Sequence, residues 1–289
     1  MNESNLWSLS ATELIKAYVK RTLSPVEVLA SYLGRITTLN PKVNAFHLLM
    51  EENALLSAKK SEERWLKGSP LGLMDGIPTA IKDGLFMSGI PIYRGSLAND
   101  AQSNIPTTNA PVVDRMIGSG AIILGKTTMC DYGMLASGYS SKFGPTRNPW
   151  KLDFNSGGSS SGSAAAVAAG MCPVAVGTDI VGSIRNPASF CGLYGHKPSF
   201  GRVPFYPQTS PAVCAGPISR SVEDMALLLN VISSPDSRDP SALPYHEIDY
   251  MEAIKGNVAG LKIGFMHDIG FGPAPDEEVL ELCCEAVKS

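Results

Sequence analysis

The order of apolar and polar positions divides the chain into two styles. From residue 11 to 67 it reads as amphipathic helix. Ser10-Ala-Thr-Glu13 has the spacing of a capping box, in which a serine hydroxyl and a glutamate three residues on satisfy each other's free amides. Ser24-Pro25 puts a capping residue before a proline at the first helical position, where an N–H is not needed. A third run, Glu51 to Leu66, ends at Gly68. Beyond it come short apolar runs bounded by glycine. GIPTAIKDGL (76–85) and GAIILGKTT (120–128) suit buried strands, with PVVDRMIGSG between them as a helix. CPVAVGTDIVGSIR (172–185) repeats the device, strand first and glycine-bearing turn after. SVEDMALLLNVI (221–232) predicts a serine-capped helix, SSPDSRDPSALP (233–244) a surface loop, LKIGFM (261–266) another strand and PDEEVLELCCEAVKS a last helix. Short apolar runs alternating with helices predict an α/β sheet covered on its faces. A crossover helix with no strand after it reads as a chain cut short. No internal repeat is visible.

Composition narrows the function classes. The 289 residues suffice for one large or two ordinary domains, with 44% hydrophobic and 18% charged positions. A net charge of −3 and a pI near 5.8 supply no basic field for nucleic acid or an anionic membrane. The start, MNESNLWSLSATELIKAY, lacks the basic and apolar regions of a secretion signal. The most apolar stretch, Ala164 to Val176, is broken by Gly170 and Pro173 and is too weak to span a bilayer. A cytoplasmic location is the expectation. Six cysteines without a C-x-x-C, and four scattered histidines, read as reduced buried thiols and no metal site. No cofactor is implied.

Two formal motifs fail on context. Gly120-AIIL-Gly125-Lys126-Thr127 matches a phosphate loop, but the residues that should form the cradle are themselves the strand. Gly158-Ser159-Ser160-Ser161-Gly162 matches a nucleophile elbow with Ser160 as nucleophile, yet LDFNSG before it reads as loop rather than apolar strand. Three other pieces carry more. GGSSSGSAAAVAAG (157–170) is a serine-rich loop feeding a helix; alone it is an ordinary turn. GTDIVGSIRNP sets Ser183 in a turn whose successive amides could form an anion nest. GIPTAIKD ends an apolar strand on Lys82, and a lysine buried there would lose affinity for its proton and serve as a base.

Together with FGPTRNPW (143–150), these segments resemble the amidase signature family of Ser-Ser-Lys amide hydrolases, over about residues 8 to 235. The resemblance implies an α/β fold with a mixed central sheet covered by helices on both faces. It implies one domain over 1–289, incomplete at its C-terminus, with a helical part at 1–68 and a catalytic core at 69–232. By similarity Ser183 is the nucleophile, Lys82 the base, and Ser159 the bridging serine that relays the proton between them. The resemblance also puts a cis arrangement in Ser159's own backbone rather than at the peptide bond before it. Backbone amides of Ile180, Val181, Gly182 and Ser183 would hold the oxyanion, with Asp179, Arg185 and Ser160 in support. Ser161 and Ser163 read as loop and cap hydrogen bonders. Val181 stands where the family has glycine, Ser161 likewise, and His196 where an aliphatic residue is commoner. The implied substrate is a small-molecule amide, with no direct nucleic-acid contact and no membrane, and a homodimer is compatible. Two alternatives stay open: a glutaminase like the A subunit of a glutamyl-tRNA amidotransferase, and a non-catalytic homologue.

Overall fold

The computed structural model describes residues 3–208, 210–268 and 270–288. Local signals start its first helices. Ser10 Oγ accepts the Glu13 amide at 3.1 Å while Glu13 accepts the Ser10 amide at 2.8 Å, and Ser24 and Glu27 repeat the exchange at 3.2 and 2.8 Å. These boxes open α1 (Ala11–Val19) and α2 (Pro25–Val43), each worth about 1 kcal/mol. α3 (Glu51–Lys67) ends on Gly68, which takes the left-handed φ of +69°. Between α2 and α3 the helical pattern is broken by a strand, β1 (Phe46–Leu49). Its cause is the Asn40 side chain, which accepts the amides of Ala45 and Phe46 at 2.9 and 2.8 Å and turns the chain out of α2.

The remaining elements follow in order. β2 (Pro78–Lys82), α4 (Pro111–Gly118) and β3 (Ile122–Thr127) occupy the segments whose patterns predict them. β4 (Tyr139–Ser140) pairs with β5 (Gly144–Pro145), and β6 (Arg147–Asn148) with β7 (Lys151–Asn155). Then come α5 (Ser161–Ala168), β8 (Val174–Asp179), α6 (Arg185–Phe190), β9 (Tyr194–Gly195), β10 (Cys214–Ser219), α7 (Val222–Ile232) and α8 (Tyr250–Ala253).

A mixed sheet in the order β1-β3-β2-β8-β10-β9 organises these elements. β3, β2 and β8 run parallel, and β1, β10 and β9 pair antiparallel at the two sides. Successive strand residues point to opposite faces, so the sheet feeds two cores. Ala80, Ile122, Leu124 and Ala175 pack with the alanines of α5 and with Ala54 and Ala58 of α3. Ile81, Ile123, Val174 and Val176 pack with Leu14 of α1, Met116 of α4 and Leu228 of α7. Each large apolar side chain fully buried this way contributes roughly 1.5–3 kcal/mol. The parallel strands therefore end together, bringing Lys82, Thr127 and Asp179 to one edge, where ligands of open α/β sheets bind.

The chain divides into two compact units, Met1–Ile254 and Lys255–Ser289. The second holds α9 (Glu277–Lys288) where a helix is predicted, with Ser289 outside the described residues. LKIGFM is not the expected strand. Residues 261–266 are exposed and irregular, and no strand pairs with them among the described residues. An apolar run without a partner for its N–H and C=O groups gains nothing by extending.

Candidate active site

Lys82, the last residue of β2, is fully buried. Its Nζ donates to Ser159 Oγ at 2.8 Å, to Thr178 Oγ1 at 2.8 Å and to the Thr178 carbonyl at 3.4 Å. Burial strips water from the ammonium, and the fields of Cys130, Asp179 and Asp83 only partly oppose that, so its pKa falls to about 7. A lysine at that value is divided between its acid and base forms near neutrality.

Ser159 lies in the loop before α5, 2% exposed. The cis peptide bond is Gly158–Ser159, the bond before Ser159, which corrects the expectation that this bond was not the one involved. Only glycine fits at 158, since a Cβ there would stand 2.4 Å from the Ser137 carbonyl oxygen. Ser160 fastens the loop to the sheet. Its amide donates to the Ser183 carbonyl at 3.1 Å, and its hydroxyl accepts the Thr178 amide at 3.2 Å and donates to the Thr178 carbonyl at 3.3 Å. Ser163 donates to the Val176 carbonyl at 3.0 Å and shares a hydrogen with Thr127. Ser161, expected to be a hydrogen bonder, is buried with no partner for its hydroxyl among the described residues.

The nucleophile-elbow alternative loses its footing here. LDFNSG is not loop throughout, because β7 covers Lys151–Asn155, but β7 is exposed along its length and offers no apolar strand. Ser160 is sealed and engaged as described, with no free hydroxyl facing substrate.

Ser183 lies half-buried in the turn after β8. Asp179 shapes that turn. Its carboxylate accepts the amides of Gly182 at 2.7 Å, Ile184 at 3.0 Å and Arg185 at 3.3 Å, and both Nε and NH2 of Arg185 at 3.0 Å. Burial pushes its pKa up, but the guanidinium and the amides outweigh burial and hold it at about 2. One expectation is corrected by this arrangement. The Gly182 N–H is committed to Asp179 and is not an oxyanion donor in this turn. The amides of Ile180, Val181 and Ser183 donate to nothing among the described residues. The glycine conformation falls on Gly182, with φ +127°, while Val181 keeps an ordinary φ. Replacement of the family's first glycine by valine therefore brings no backbone strain. The Val181 side chain is 90% exposed.

Ser159, Ser183, Ile180 and Val181 line one cavity of about 460 Å³, which Arg94, Tyr132, Phe205 and Val213 also wall. Lys82 sits behind it, reached through Ser159 and Thr178. No hydrogen bond joins the hydroxyls of Ser159 and Ser183 among the described residues; they meet only through the shared cavity. The structure thus gathers Lys82, Ser159, Ser183, Ile180 and Val181 at one place, with Ser160, Asp179 and Arg185 around it. Sequence reasoning missed Thr178 and Arg94. Thr178 was within reach, one residue before Asp179 in GTDIVGS, but Arg94 sits in a loop with no pattern to mark it. Among the described residues no group of three or more His, Cys, Asp or Glu could hold a metal ion. None of their helices is long and apolar enough to cross a membrane.

A family model for amidases matches residues 27–289. An acylamidase of Rhodococcus erythropolis is 39% identical over 293 residues, covering 99% of this chain and 60% of its own. The A subunit of the glutamyl-tRNA(Gln) amidotransferase of Carboxydothermus hydrogenoformans is 40% identical over 263 residues, covering 90% and 54%. Among solved structures, a bacterial aryl acylamidase of the amidase signature enzymes superposes with a TM-score of 0.91 at 36% identity, covering 97% of this chain and 58% of that one. A 6-aminohexanoate cyclic dimer hydrolase complexed with substrate gives 0.88 at 31% identity, covering 98% and 58%. The chain spans between half and three fifths of the length of these relatives.

Proposed function

The chain belongs to the amidase signature family, and from that premise we propose that it hydrolyses the C–N bond of a carboxylic acid amide through Ser183, Ser159 and Lys82. Neutral Lys82 takes the Ser159 proton as Ser159 takes that of Ser183, and Ser183 Oγ attacks the amide carbonyl carbon. The tetrahedral oxyanion points to the amides of Ile180, Val181 and Ser183, each such donor being worth about 3–4 kcal/mol of barrier. The relay then runs backwards, the amine leaves with the proton, and an acyl ester stays on Ser183. Water activated by the same relay hydrolyses that ester. The observation that carries the reading is the buried 2.8 Å hydrogen bond between Lys82 and Ser159 behind a cavity that Ser183 shares.

Intact-mass labelling with a fluorophosphonate tests it. One adduct is expected on the wild type, absent in Ser183→Ala and slowed in Ser159→Ala and Lys82→Ala. Folded wild type that takes no label would sink the catalytic reading and leave a binding homologue. A second reading is supported by the 40% identity to an amidotransferase A subunit: a glutaminase delivering ammonia to a partner protein. Preference for glutamine over simple amides, with a co-purifying partner, would favour it.

A further inference from the structure

Building on Ser183 as the nucleophile, we propose that Arg94 recognises a carboxylate on the substrate, so that the preferred amide is one that carries a carboxylate elsewhere in the molecule. Among the described residues, Arg94 is the one charged side chain lining the cavity that holds Ser159 and Ser183. It is also the one arginine among them without a partner. Every other arginine side chain donates a hydrogen bond, among them Arg64 to Asp75, Arg115 to the Ser234 carbonyl, Arg185 to Asp179 and Arg220 to four carbonyls. The Arg94 guanidinium makes no such bond and no ion pair among the described residues. A half-buried cation facing a reaction cavity without a counter-charge suits an anionic ligand.

The backbone holds this arginine in place. Arg94 takes a left-handed φ of +48°, unusual for a residue with a side chain. Asp83 clamps both neighbours, accepting the Tyr93 amide at 3.2 Å and the Gly95 amide at 2.9 Å. The Tyr132 amide donates to the Arg94 carbonyl at 2.8 Å, and Gly95 packs so closely that a Cβ would stand 2.2 Å from the Met129 carbonyl oxygen. Asp83 directly follows Lys82, so the arginine is positioned from the same strand end as the base. A guanidinium presents a planar fork of donors that matches the two oxygens of a carboxylate. Phe205 and Val213 supply apolar wall for the hydrocarbon between that carboxylate and the amide.

Calorimetric binding to the Ser183→Ala protein tests this without turnover. Three probes are used: succinamate, with its carboxylate on the acyl side; N-acetylglycine, with its carboxylate on the amine side; and neutral pentanamide. One carboxylate is expected to bind about tenfold tighter than pentanamide or better, and which one tells the side that Arg94 reads. Adding Arg94→Met should bring the ratio close to one, and Arg94→Lys should keep part of it. Pentanamide binding as tightly as both carboxylates, no binding of either carboxylate at millimolar concentration, or a preference that survives Arg94→Met would each overturn the proposal. If Arg94→Met fails to fold, the ratio in the Arg94-containing protein decides alone. Fluorophosphonate labelling of the wild type judges Ser183 separately, so loss of the amidase reading is not confused with loss of this one.

Discussion

Thr178 Oγ1 lies as close to the Lys82 amine as Ser159 Oγ does, 2.8 Å in each case. The two hydroxyls do different work. Both residues line the cavity that Ser183 shares. Ser159 is the hydroxyl proposed to relay the proton, while Thr178, as an acceptor of the Lys82 N–H, favours the ammonium against the burial that lowers its pKa to about 7.

Activity should therefore rise with pH through about 7 as Lys82 loses its proton. Thr178→Val removes an acceptor from the charged form while keeping the shape, so the acid limb of kcat/KM should move to lower pH, by up to about one unit. A limb that stays where it was would show that Thr178 does not set the base's proton affinity.

The same burial predicts a stability profile. Lys82 and Lys126 are both fully buried, and burial lowers their pKa values to about 7 and about 8. Between those values and the ordinary lysine value of about 10.4, the unfolded chain binds more protons than the folded one. Folding stability should thus rise with pH across that window, by at most about 1.4 kcal/mol per pH unit for each lysine. Lys82→Met should remove its share of the slope and gain on the wild type as pH falls towards 7. Urea unfolding midpoints at pH 7 to 10 measure this, and parallel profiles for the two proteins would refute it.

Features set by neighbours in sequence were legible, and those set by distant partners were not. The Ser10 capping box, the Ser24 cap and the Gly68 stop depend on three or four residues and are read directly, and the structure adds Glu27 as the second half of a box at Ser24. The strands at 78–82, 122–127 and 174–179 announce themselves as apolar runs because both faces of the sheet are covered. β1 was hidden because four residues, FHLL, form a strand only through the distant β3. LKIGFM had the pattern of a strand and nothing to pair with among the described residues. At the site, motif resemblance pointed to Lys82, Ser159 and Ser183, but Gly182 looked like a donor until Asp179 was seen to hold its amide. Arg94 acquires its meaning only from the cavity it lines.

Val181 and Gly182 should respond oppositely to alanine. Val181 has an ordinary φ and an exposed side chain, so Val181→Ala should change folding stability by less than about 0.5 kcal/mol. Gly182→Ala has space for its Cβ, with the nearest atom, Asn186 Cβ, at 3.9 Å, but it must adopt a φ of +127°. The cost is conformational, more than about 1 kcal/mol, and relaxing it would turn the Val181–Gly182–Ser183 amides. Thermal unfolding and the labelling rate of Ser183 are the readouts. Equal effects at the two positions would mean that the left-handed turn is not required.

Asp179→Asn tests how the oxyanion turn is fixed. The carboxylate receives three amides and two guanidinium nitrogens. An asparagine has one acceptor oxygen, and its NH2 would face donors. The Gly182 amide would be released or crowded, and the turn that presents Ile180, Val181 and Ser183 would lose its shape. Because Asp179 keeps its charge down to a pKa of about 2, the wild-type turn should hold throughout the range where Lys82 titrates. The variant should fold, and its kcat should fall by about 10²–10³, the usual cost of losing an oxyanion donor, with KM changed far less. The substitution also removes one of the negative fields that hold the Lys82 pKa up, so the acid limb governed by Lys82 should move somewhat below pH 7 in the variant while kcat falls. A loss confined to KM, or a shifted limb with kcat intact, would mean that Asp179 acts through binding or charge rather than by aiming the amides.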